Sequence, residues 1–145
     1  MSRPARGVSP SSHPIGWLAR ARGGLHGPGR PGWALVRGAS MAPTLRGGDR
    51  LLVLHGARVV PGRVVVARLP DGTLAVKRAV ERRTTAGGSP GWWLLSDDPS
   101  VGVDSRHRGP VAEDQVLAVA LCRVWPRPCL LRAGAGPGTA ASRAL

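Results

Sequence analysis

The sequence predicts a small, mostly β domain flanked by basic tails, and three observations carry that prediction. Apolar residues make up 42% of the 145 positions, yet there is no Phe, no Tyr and only five Trp. Val, Leu and Ala must therefore fill the core, and short runs of β-branched and aliphatic residues favour strands. Those runs are separated by Pro and Gly turn signals, whereas helix signals are sparse. At this length one domain is expected, with enough apolar surface for a modest core.

Taken in order, residues 1 to 31 are dominated by Pro, Gly, Ser and Arg and read as a disordered tail. The domain itself, 32 to 126, holds the strands. "DRLLVLHG" and "GRVVVARL" flank a Pro61-Gly62 turn. "GRVVVARLPDGTLAVKRAVERR" reads as a hairpin around Pro70, Asp71 and Gly72. A Gly/Ser/Pro loop at 86 to 91 precedes "WWLLS", and "DQVLAVALCRVW" closes the domain. Residues 127 to 145 read as a flexible C-terminal tail. No internal repeat and no Gly-rich phosphate loop is present in the sequence.

The net charge of +13 raises nucleic acid as a partner, but its distribution argues otherwise. Residues 1 to 48 carry seven Arg and 126 to 145 carry three, with no acidic residue before Asp49 or after Asp114. Between them, 49 to 125 hold eleven basic against eight acidic side chains. With no aromatic-interleaved basic face, specific nucleic-acid recognition is not expected. Cys122 and Cys129 are too few for a disulfide framework or a four-ligand zinc site. No segment approaches the ~18 to 20 apolar residues that span a bilayer, and the amino end lacks a signal-peptide core, so a cytoplasmic chain without a membrane anchor is expected.

"RGASMAPTLRGGDRLLV", Arg37 to Val53, places Ser40 in a turn before an apolar strand. A serine hydroxyl attacks a carbonyl only when a neighbouring base takes its proton. Of the four histidines, His13 and His26 fall in the tail, leaving His55 and His107 as candidate bases. A different base emerges from the cations: 20 of the 21 Lys and Arg residues are Arg, and the exception is Lys77. Arginine does not release its proton in a protein, whereas a desolvated lysine can act as a neutral amine. Lys77 lies in the apolar strand "TLAVKRAV", with Ala75 on its face and Val76 on the other. The residues alone equally allow a surface lysine with its ammonium in water.

Together "GASMAPTLRGGDRLLV", "VKRAV" and "SDDPSVGVDSRHRGPV" resemble three successive boxes of the signal peptidase I family of serine peptidases, over residues 36 to 121. The resemblance implies a small coiled β domain of signal-peptidase/LexA type with a Ser/Lys dyad and no metal or cofactor. Ser40 would be the nucleophile and Lys77 the general base, then the general acid. The Ser40 backbone N–H would be an oxyanion donor. Met41, Pro43, Asp49 and Asp97 would support the site structurally. Many relatives carry a second donor, a serine, where this chain has Gly38. The third box, usually opened by Gly-Asp-Asn, here reads Ser96, Asp97, Asp98. Its lysine-orienting serine corresponds to Gly102, so the pattern does not identify what holds Lys77. Asp104 and Arg106 match, implying an ion pair near the site, although two solvated turn residues would fit the same letters.

Only 20 positions separate Lys77 from Asp97, too few for the inserted β domain of many signal peptidases. A short chain of this pattern resembles the nickel-type superoxide dismutase maturation proteases, which remove an amino-terminal propeptide from their precursor. Three alternatives stand beside it: a membrane signal peptidase I, a LexA-type self-cleaving regulator, and an inactive peptide-binding β module.

Overall fold

A computed structural model describes residues 29–134. The tails expected at either end, with His13 and His26, therefore fall largely outside the described residues.

The order of elements is β1 (Arg30–Leu35), β2 (Arg50–His55), β3 (Val64–Arg68), β4 (Leu74–Thr84), β5 (Pro90–Leu95), α1 (Ser105–Arg108), β6 (Val111–Ala112), a single 3-10 turn (Glu113–Gln115), β7 (Val116–Trp125) and β8 (Cys129–Leu130). All strand pairs are antiparallel, in the order β1-β2-β7-β3-β4-β5-β6, with β8 also paired to β7. The mostly β prediction holds, and the one α-helix among the described residues is a single turn.

The sheet packs a core on each of its faces, which explains the continuous apolar run of β3. Successive side chains of a strand point to opposite faces. Val64 and Val66 join a cluster with Ala34, Val36, Met41, Leu45 and Leu51. Val65 and Ala67 join the other, with Ala79, Trp92, Leu94 and Val119. β7 divides in the same way, Ala118 and Ala120 against Val119. A strand buried on both sides loses polar alternation, as "VVVA" does. Register shifts interrupt the β2–β7, β3–β7 and β4–β5 pairings, the irregularities that let a sheet bend.

The domain boundaries expected from composition are too narrow at both ends. β1 begins at Arg30, inside the stretch read as tail, and "RPGWAL" escapes a composition-based reading as a strand because Pro31 and Gly32 resemble linker. Gly32 instead provides room: a Cβ there would collide with the His55 ring on β2. At the other end β8 and Leu131 lie beyond residue 126. Leu131 is buried, and its N–H donates to the Leu121 carbonyl at 2.9 Å.

Candidate active site

Ser40 sits in the loop from β1 to β2, and its backbone is held from three sides. The loop's base closes through Val36 N–H to Asp49 O (2.9 Å) and Gly48 N–H to Val36 O (2.8 Å). Met41 and Leu45, both fully buried, anchor its middle in the core, and the Asp49 carboxylate accepts the Arg46 N–H at 2.9 Å. From the segment after β5, the Asp98 N–H donates to the Ser40 carbonyl at 2.9 Å. Pro43 is exposed, and its peptide bond with Ala42 is cis. Gly38 adopts the left-handed φ of +74°, and a Cβ there would meet nothing within 4 Å.

Lys77 reaches this serine from β4. It pairs in register with the fully buried Val65 of β3, and the residue is only 3% exposed. Its Nζ donates to Ser40 Oγ at 3.1 Å and to Ser96 Oγ at 2.9 Å. Burial pushes the Lys77 amine below its ordinary 10.5; the Asp104 carboxylate opposes that shift and the Arg106 guanidinium reinforces it. The other candidate bases are engaged elsewhere. His55 lies over Gly32 on the edge pair β1–β2, and His107 accepts the Asp104 N–H on α1.

Two ion pairs frame the lysine. Arg78, the next residue on β4, binds Asp97 through Nε and Nη2, both at 2.7 Å, and donates Nη1 to the Gly62 carbonyl at 2.7 Å. Thr44 Oγ1 donates to the same carboxylate at 2.6 Å, so Asp97 ties the serine loop to the lysine strand. Asp104 is fully buried and caps α1. It accepts Arg106 Nη2 at 2.7 Å and the Ser96 N–H at 2.9 Å. Burial would raise this carboxyl, but the hydrogen bonds from Arg106 and Ser96 outweigh it and hold the group down to about 2. The alternative of two solvated turn residues is thus excluded for Asp104, while Arg106 remains partly exposed.

Ser96 is the site residue that sequence reasoning passed over. It stood in the pattern where glycine is usual, and nothing local marks a strand-end serine as a lysine partner. Gly102, the position where the pattern led one to look, passes beside the pair: a Cβ there would lie 3.1 Å from Ser40 Cβ and 3.5 Å from Lys77 Nζ. Its φ of +79° is in the left-handed region. Gly102→Ala is therefore expected to cost ~1–2 kcal/mol in urea unfolding and, by displacing Ser40, to lower any Ser40-dependent activity about ten-fold. Wild-type values for both would show that the loop absorbs a methyl group.

Among the described residues no group of three or more His, Cys, Asp or Glu could hold a metal ion, and no helix is long and apolar enough to cross a membrane.

A curled antiparallel sheet that brings a loop serine against a strand lysine defines a serine-peptidase-like β domain. The sequence matches the Peptidase S24-like family over residues 14–113, and the chain belongs to that family. This agrees with the signal-peptidase/LexA-like resemblance at the level of the superfamily. No curated protein matches the chain.

Proposed function

We propose that this chain is a serine endopeptidase in which Ser40 is the nucleophile and Lys77 the general base. The observation that carries the reading is the 3.1 Å contact between Lys77 Nζ and Ser40 Oγ, made by a lysine whose amine is desolvated. In the neutral form Nζ takes the Ser40 hydroxyl proton as Oγ attacks the scissile carbonyl. The resulting ammonium gives that proton to the leaving amine as the C–N bond breaks. Lys77 then deprotonates a water that hydrolyses the acyl-enzyme, releasing Ser40. The Ser40 N–H serves the oxyanion. With glycine at position 38 no side-chain hydroxyl joins it from there, a difference of the kind that costs ~2.7–4 kcal/mol when one donor is lost.

The partner is a protein or peptide rather than a nucleic acid. Among the described residues β1 is an edge strand, and it leads in sequence into the loop that carries Ser40, so an extended peptide can add beside it through main-chain hydrogen bonds. The substrate proposed is the precursor of a nickel-type superoxide dismutase, from which an amino-terminal propeptide is removed. Compactness supports this: β4 turns into β5 within residues 85 to 89, with no inserted domain over the site. Incubating the purified chain with such a precursor should release the propeptide, read by product mass. No cleavage by the wild-type chain, or equal cleavage by Ser40→Ala, would overturn the reading.

Membership of the Peptidase S24-like family favours one second reading, self-cleavage of a regulator. The two separate by dilution: intramolecular cleavage proceeds at a rate independent of protein concentration, whereas cleavage of an added precursor scales with the enzyme.

A pH profile follows from the buried amine. Protonated Lys77 cannot accept the serine proton, so kcat/KM is expected to be low in acid and to climb with pH. Because burial lowers the amine's midpoint below 10.5, the climb comes at lower pH than an exposed lysine would give. A flat profile from acid to alkaline pH would count against Lys77 as the base.

A further inference from the structure

We infer that Ser96 positions Lys77 for proton transfer, supplying from the end of β5 the hydroxyl that Gly102 does not carry. The inference rests on the peptidase reading above but concerns a different residue.

The geometry is over-determined around Ser96. The Arg78–Leu95 pairing of β4 with β5 sets the following residue beside Lys77. The Ser96 N–H is held by Asp104 at 2.9 Å, and the Leu94 N–H by Ser105 Oγ at 2.9 Å, so α1 and its cap clamp the strand end from outside. Ser96 itself is fully buried, with its Oγ 2.9 Å from Nζ. A lysine amine rotates about its last bond, and in the neutral form it has two N–H groups and one lone pair. When Ser96 Oγ accepts one N–H, that rotation is stopped, and the lone pair is left for the Ser40 hydroxyl on the other side. Without Ser96 the amine would spend its time in orientations that cannot take the serine proton.

The two faces of the amine are treated differently. On the Gly102 side even a Cβ would come 3.1 Å from Ser40 Cβ, so the loop leaves little room for a side chain there. On the Ser96 side the hydroxyl comes from the end of β5 and reaches Nζ at 2.9 Å. The charged groups around Nζ come from known elements. Asp104 and Arg106 act on it from α1 and its cap, Arg78 beside it on β4 is bound to Asp97, and β3 places Val65 opposite.

Lys77 is the chain's single lysine, so lysine labelled with carbon-13 at Cε gives one side-chain resonance for it in the full chain. Its titration should be followed in the wild type, Ser96→Ala and Ser96→Gly; the two variants remove the hydroxyl without adding bulk. Losing an acceptor that favours the ammonium should lower the Lys77 midpoint by about one pH unit. With the superoxide dismutase precursor as substrate, kcat on the alkaline plateau should fall at least about ten-fold, with KM within about two-fold. A merely structural serine would leave the midpoint in place. An unmoved midpoint together with wild-type kcat would overturn the inference. The titration needs no substrate, so absence of cleavage by the wild type would count against the peptidase reading alone, and the resonance would still decide the role of Ser96.

Discussion

Lys77→Arg should abolish peptide cleavage, lowering kcat/KM by at least about 10³-fold while the chain remains folded. The substitution keeps the positive charge and most of the stem, so a lysine retained for charge alone would tolerate it. What it removes is the ability to become neutral, because a guanidinium does not release its proton in a protein. The planar, multidentate head of the arginine would also have to be accommodated where one amine now contacts Ser40 and Ser96. The measurement is cleavage of the precursor at the alkaline plateau, alongside Ser40→Ala and a far-UV spectrum of each variant. Ser40→Ala should lose as much, since nucleophile and base act as one unit whose losses do not add. Near-normal turnover by Lys77→Arg would remove Lys77 from the mechanism, whatever its distance from Ser40.

The largest effect on stability is expected from Asp97→Ala. The Arg78 and Asp97 side chains are each 7% exposed, and the carboxylate receives both guanidinium bonds as well as the Thr44 hydroxyl. Removing it leaves a buried guanidinium with only the Gly62 carbonyl for company. Breaking a buried pair from one side costs ~3–5 kcal/mol, because the remaining charge is uncompensated and arginine cannot neutralise itself. Urea unfolding should show that loss as a lower midpoint with an unchanged slope. Glu81→Ala provides the contrast: its pair with Arg83 is largely exposed, and its loss should stay within about 0.5 kcal/mol. Equal effects of the two substitutions would show that the Arg78–Asp97 pair is better hydrated than its burial implies. Activity should fall with stability in Asp97→Ala, because this carboxylate joins the loop that carries Ser40 to the strand that carries Lys77.

The central strands were legible because their chemistry is local. "RLLVLH", "VVVAR" and "VLAVALCRVW" are aliphatic runs bounded by turn residues, and each is a strand in the structure. The edges were not. β1 contains Pro31 and Gly32, and β6 and β8 are two residues each, so their propensities resemble those of loops. Pairing to β2, β5 and β7 makes them strands, and pairing is a property of the sheet rather than of the segment.

The same division runs through the site. Composition marked Lys77 as a candidate base, because a lone lysine among arginines poses a chemical question that can be read without coordinates, and the resemblance to the signal peptidase boxes implied its role beside Ser40. The third box also announced Asp104 and Arg106, but not that one carboxylate is fully buried and holds the Ser96 N–H. Nor could a string of letters show that Ser96 and Gly102 both come to lie beside one amine. That arrangement depends on the β4–β5 register and on a glycine loop with left-handed backbone crossing the site. Residue identity sets what a side chain can do as acid, base or nucleophile; the long-range pairing of strands decides which of those groups meet.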